Sequence, residues 1–159
     1  MAYTLRQLEA RLEKVVRVET SEIDQANDDP ELKGKYVFRD DSGEKFMWGP
    51  RPYRYEFLDV GTVAEADQIM FLCPACFAKN GGAVGTHSVM VTFAGRGVPD
   101  EAGSVDSDGK PSRWTASGTS LDDLVLTPSI LLDAKRKPGE GCHWHGFVGS
   151  SGIPPGQAG

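Results

Sequence analysis

Two short segments of this 159-residue chain, Cys73-Pro-Ala-Cys76 and Cys142-His-Trp-His145, carry metal-binding residue types at one shared spacing. Two ligand positions separated by two residues let a tight turn aim both side chains at one ion. The pair of pairs therefore supplies the four ligands of a tetrahedral zinc site. Proline after the first cysteine and Gly146 after the final histidine suit tight turns of the kind called knuckles. The expectation is one Zn2+ held by Cys73, Cys76, Cys142 and His145. The C-x-x-H spacing selects His145, with His143 and His87 as the alternative imidazoles, and Trp144 is read as core packing for the knuckle. Three cysteines cannot all pair within one chain, and the flanks of Cys73 lack the βαβ pattern that a thioredoxin-like redox motif needs.

Four protein ligands leave no coordination position for water, so such a site holds a fold together and catalyses nothing. A zinc hydrolase would instead need three ligands, with Glu140 or His143 acting as acid or base beside a zinc-bound water. The chain carries no H-E-x-x-H, no G-x-S-x-G and no Gly-rich phosphate loop, so no catalytic residue is assigned. Asp106-Ser-Asp108-Gly109 resembles the start of a calcium loop but lacks the closing Glu, and reads as an Asp-Gly turn.

Composition and period set the scaffold for these residues. A chain of this length makes one principal domain. A hydrophobic fraction of 39% excludes wholesale disorder, and 19 Gly with 10 Pro favour many short strands over a helical bundle. The predicted class is mainly β, α+β overall: a small antiparallel β domain over residues 34–151, pinned by two zinc knuckles. Ahead of it, Leu5, Leu8, Leu12, Val15 and Val16 recur at helical intervals behind a Thr4/Gln7 capping box, which predicts an amphipathic helix over residues 1–18. Residues 19–33 read as an acidic linker, because Glu19 to Glu31 holds six acidic residues and no basic one. Residues 152–159 read as a flexible tail.

Within the β domain, Tyr36-Val-Phe38 and Phe46-Met-Trp48 flank a turn and predict a hairpin, and Tyr53 to Phe57 alternates as a half-buried strand. A helical turn at Val63 to Asp67 is followed by strands at Gln68–Leu72, His87–Phe93, Arg113–Ala116, Ile130–Leu132 and Gly146–Val148. Ser120 to Asp123 reads as a capped turn, and Lys135-Arg-Lys-Pro-Gly as a solvated reversal.

The formal charge of −6 argues against a surface built to clamp phosphates. Nucleic acid enters only as the alternative of a zinc ribbon using Lys135 to Lys137 and the Tyr53 to Phe57 aromatics. No run approaches the roughly 18 apolar residues of a membrane span, and the N-terminus lacks the order of a secretory signal, so a soluble product is expected.

Phe71-Leu-Cys-Pro-Ala-Cys, Gly95-Arg-Gly-Val-Pro, Trp114, Ser117-Gly-Thr-Ser-Leu, Leu126-Thr-Pro-Ser-Ile-Leu-Leu and Cys142-His-Trp-His-Gly-Phe-Val occur in that order. Together they resemble an uncharacterised bacteriophage and prophage zinc-binding family whose members sometimes carry the label ammonia monooxygenase. The resemblance spans Gln68 to Gly152, about half the chain. It implies a small zinc-bound β domain encoded by a phage, with Cys73, Cys76, Cys142 and His145 at the family's cysteine and histidine positions. It also implies a location in the host bacterial cytoplasm or the virion. A copper or iron oxygenase needs an open site of imidazole or carboxylate ligands, which a thiolate-rich quartet does not offer. The expected function is thus non-enzymatic, the binding of a phage or host protein; the apolar face of the N-terminal helix is expected to pack on the chain's own core, with a docking partner or homo-oligomer contact as the alternative. The zinc-dependent hydrolase is the alternative from a different class.

Overall fold

The computed structural model describes residues 2–19, 36–39, 45–48, 53–106, 108–132, 142, 144–149 and 152–155. Ten strands and one α-helix occur among them: β1 Arg11–Glu19, β2 Tyr36–Arg39, β3 Lys45–Trp48, β4 Tyr53–Val60, β5 Gln68–Leu72, α1 Pro74–Asn80, β6 Ser88–Thr92, β7 Thr115–Ser117, β8 Val125–Thr127, β9 Ile130–Leu132 and β10 Trp144–Gly146. The expected antiparallel, mainly β class is what forms. The chain divides into two compact units, one of Met1–Val15 with Phe57–Gly159 and one of Val16–Glu56. In the smaller unit β2 and β3 form the hairpin that the sequence predicts, with Tyr36 opposite Trp48 and Phe38 opposite Phe46.

The four-stranded sheet has order β4-β1-β5-β6, and the larger unit holds β5, β6, residues 11–15 of β1 and residues 57–60 of β4. Strand β5 runs antiparallel to both neighbours, with Leu12 opposite Ile69 on one side and Ile69 opposite Val91 on the other. Alternation sends Leu12, Ile69, Phe71, Val89 and Val91 to one face, where they pack with Leu5, Leu8, Leu126, Ile130 and Trp144 in the core. The opposite parity puts Glu13, Gln68 and Thr92 side by side across the sheet, all buried. Gln68 Nε2 donates to Glu13 Oε1 at 3.1 Å, and Thr92 Oγ1 accepts the Ser104 N–H at 2.8 Å. Two further hairpins, β7–β8 and β9–β10, complete the unit; β8, at three residues, is too short to show a period in the sequence.

The N-terminal helix is corrected. Its start is real: Thr4 N–H donates to Gln7 Oε1 at 2.8 Å and Gln7 N–H to Thr4 Oγ1 at 3.1 Å, the reciprocal capping box. It stops after a single turn, because Ala10 N–H reaches Leu5 O at 3.0 Å and Glu9 N–H reaches Arg6 O at 3.1 Å. That is the Schellman arrangement, with Glu9 in the left-handed position at φ 53° where glycine is usual. The chain then extends into β1. Leu5, Leu8 and Leu12 are all in the core, so the apolar stripe is no docking face.

Near the other end, the expectation of a flexible tail fails at Ile153, which is 1% exposed. Ile153 pairs with Tyr3 through two backbone bonds, Tyr3 N–H to Ile153 O at 2.8 Å and Ile153 N–H to Tyr3 O at 2.7 Å. The acidic linker beyond Glu19, the Lys135 cluster, Glu140, His143 and residues 156–159 lie outside the described residues.

Candidate metal centre

Strand β5 ends at Leu72, and Cys73 follows as the N-cap of α1, with Pro74 pre-set for the first helical turn. Cys73 O accepts the Phe77 N–H at 2.8 Å, and one turn on, Cys76 lies beside the same helix start. The helix is short because Gly81 closes it at φ 70°, in the left-handed region. Thr86 then ties the returning chain, donating from Oγ1 to Gly82 O at 2.7 Å and accepting Asn80 Nδ2 at 3.1 Å. This loop delivers His87 to the mouth of β6, directly across from Cys73. Leu72 pairs with Ser88, and one step further the Cys73 N–H donates to His87 O at 2.9 Å.

Cys142 arrives from far along the chain and is anchored by its neighbour Trp144. That side chain is 1% exposed, packs edge-on against Phe71 at 6.0 Å between ring centroids, and donates from Nε1 to Pro154 O at 3.2 Å. The indole also explains Gly146: a Cβ there would lie 2.7 Å from Trp144 Cζ2. Clearance for the ring, more than knuckle geometry, is what that glycine supplies.

The result is a cluster of Cys73, Cys76, His87 and Cys142 whose candidate ligand atoms all lie within 4.8 Å of one another. Cys73 and Cys142 Sγ are 3.2 Å apart, and all three cysteines are free thiols. A tetrahedral zinc ion with bonds of about 2.3 Å to sulfur sets its ligand atoms about 3.8 Å apart, so these four side chains fit one ion with small adjustments. Cys73 is buried, Cys76 and Cys142 are half-buried, and His87 is exposed, which puts the centre at the surface with a buried floor.

His145 is not part of this group. It lies on the exposed face of β10, opposite Leu131, with Nε2 2.9 Å from Ser129 Oγ. The physical reason is the strand itself. Residues of one strand alternate between faces, so burying Trp144 turns His145 outward, whereas a knuckle turn would have aimed it back at Cys142. On spacing alone His87 is only an alternative. The signal that finds it is the pairing of the Gln68–Leu72 and His87–Phe93 strands as a hairpin across the Cys73–Cys76 turn.

The electrostatics of the cluster fit a cation. Burial pushes the Cys73 thiol up, opposed by the backbone N–H groups of Cys76 and Ala75 and by the Cys142 thiol. Burial also pushes Cys142 up strongly, and its neighbours Cys73 and Cys76 add to the rise. Cys73 and Cys142 thus resist ionising, and a divalent ion supplies the charge that reverses this. His87 Nδ1 lies 3.2 Å from the Ser88 carbonyl oxygen, which can only accept. In the neutral ring that contact puts the proton on Nδ1 and leaves the Nε2 lone pair for a metal.

Among the described residues no helix is long and apolar enough to cross a membrane. Compared with protein-family models, with curated proteins and with solved structures, the chain matches none of them.

Proposed function

We propose that Cys73, Cys76, His87 and Cys142 hold one structural zinc ion, and that the chain acts by binding a protein partner and not by turnover. The observation that carries this reading is the closed set of four protein donors, three sulfurs and one imidazole nitrogen, within 4.8 Å. Three thiolates and a histidine are a donor set of structural zinc sites, and a filled shell has no position at which water is activated. The ion would join the β5–α1–β6 hairpin to the segment carrying Cys142, two parts of the chain that meet here and are 69 residues apart.

A protein partner is favoured over a small substrate by the β9–β10 hairpin. Ile130 and Trp144 are buried there, while Leu131 on β9 and Phe147, one residue past β10, are exposed at 56% and 61%. Apolar side chains grouped on one exposed face commonly mark protein contacts. With the resemblance to phage proteins, the role proposed is that of a virion component or a binder of a host factor.

The test of binding against turnover uses zinc-loaded protein and ester, phosphodiester and peptide probes. No metal-dependent hydrolysis is expected. Hydrolysis that Glu140→Gln abolishes without changing the melting temperature would replace this reading with that of a hydrolase.

A further inference from the structure

Two sulfurs of the cluster in direct contact differ in access: Cys73 is buried and Cys142 is half-buried, with their Sγ atoms 3.2 Å apart. A disulfide needs about 2.05 Å, so closing the gap takes little more than about 1 Å of movement. The other two donors stand on separate supports, Cys76 on α1 and His87 at the start of β6. An exposed histidine also leaves one side of the site open to small solutes.

From this geometry we infer that the centre is a redox-released metal site, in which a hydroperoxide joins Cys73 to Cys142 and the ion departs. The inference rests on the metal reading above. In the first step the Cys142 thiolate attacks one peroxide oxygen; an S–O bond forms, the O–O bond breaks and hydroxide leaves. In the second, the Cys73 thiolate attacks the Cys142 sulfur; the S–S bond forms, the S–O bond breaks and a second hydroxide leaves. Each sulfur gives up one electron, the peroxide gains two, and each hydroxide takes one proton from the buffer acid to leave as water.

The pairing has a structural consequence. With Cys73 and Cys142 joined to each other, only Cys76 and His87 remain as donors, too few to retain zinc. The covalent link still holds the segment of Cys142 against the end of β5, so the fold keeps its long-range tie after the ion leaves. His87, Cys76 and the loop between them are the parts set free. A Cys73–Cys76 disulfide would do the reverse and release Cys142.

The test treats full-length, zinc-loaded protein with hydrogen peroxide, follows released zinc with a chromogenic chelator, and maps disulfides by non-reducing peptide mass spectrometry. Expected are about one zinc released per chain, a Cys73–Cys142 crosslink with Cys76 still alkylatable, and recovery of bound zinc after dithiothreitol and added zinc. Zinc retained in excess peroxide would overturn the switch and leave the metal reading standing. Release with a Cys73–Cys76 crosslink, or with sulfinic acid and no crosslink, would overturn it as well. A chain that takes up no zinc under reducing conditions would overturn both.

Discussion

His87 and His145 carry the same side chain into opposite situations, and backbone pairing alone separates them. His87 sits across from Cys73, tied by the bond from the Cys73 N–H to His87 O, while His145 faces away on β10 and meets Ser129. Cys73 and Cys76 were legible from residue type and spacing because a C-x-x-C segment is local, and Cys142 from residue type, although the His145 that its spacing points to lies outside the cluster. The fourth donor was not, since the nearness of His87 is made by strand register across α1. Gly146 gives a residue-scale prediction. Gly146→Ala pushes a methyl into the Trp144 indole and should cost about 1–3 kcal/mol, the usual range for overpacking. Chemical denaturation would read it as a lower midpoint with an unchanged slope. A neutral result would mean that Trp144 has room to move, and that Cys142 is held by something other than the ring.

Among the elements, the first dozen residues are the most instructive. Leu5, Leu8 and Leu12 have helical spacing, and all three do reach the core. They get there through one capped turn followed by a strand, because Glu9 adopts a left-handed conformation that no residue type in the segment announces. Neither glycine nor proline marks the stop. By contrast, β5 and β6 were legible because their β-branched and apolar runs are short and continuous, as buried strands require. The Schellman turn predicts that Glu9→Gly stabilises the protein by about 0.5–1 kcal/mol, since glycine removes the left-handed strain at an exposed position while costing some unfolded-state entropy. A helix running through residue 9 would instead be weakened by the same change. Thermal melts of the two proteins decide between them by the sign of the shift.

For the whole molecule, the metal and the pH act together. Zinc at about a thousand times its Kd adds about 4 kcal/mol, and at roughly 3 °C per kcal/mol for a chain of this size that is about 12 °C in Tm. Chelation should lower Tm by about that much. The two forms should also respond to pH with opposite sign. In the metal-free chain, raised Cys73 and Cys142 pKa values mean that folding favours neutral thiols. That contribution is present below the ordinary thiol value of 9.0 and is lost as pH rises through the raised values. With zinc bound, the ligands must be deprotonated, so stability is lost as pH falls and protons displace the ion. Melting curves of both forms from acid to alkaline pH would show crossed trends; parallel trends would mean that the thiols do not form a metal site.

The metal centre stands or falls on the identity of its four donors, which X-ray absorption at the zinc edge reads without an intermediary. Wild-type protein should give three sulfur neighbours at about 2.3 Å and one nitrogen at about 2.0 Å. In His145→Ala that shell should be unchanged, whereas His87→Ala should lose the nitrogen of the ring and bind zinc more weakly. A shell that persists in His87→Ala and changes in His145→Ala, or one with two oxygen or nitrogen neighbours in the wild type, would refute the assignment.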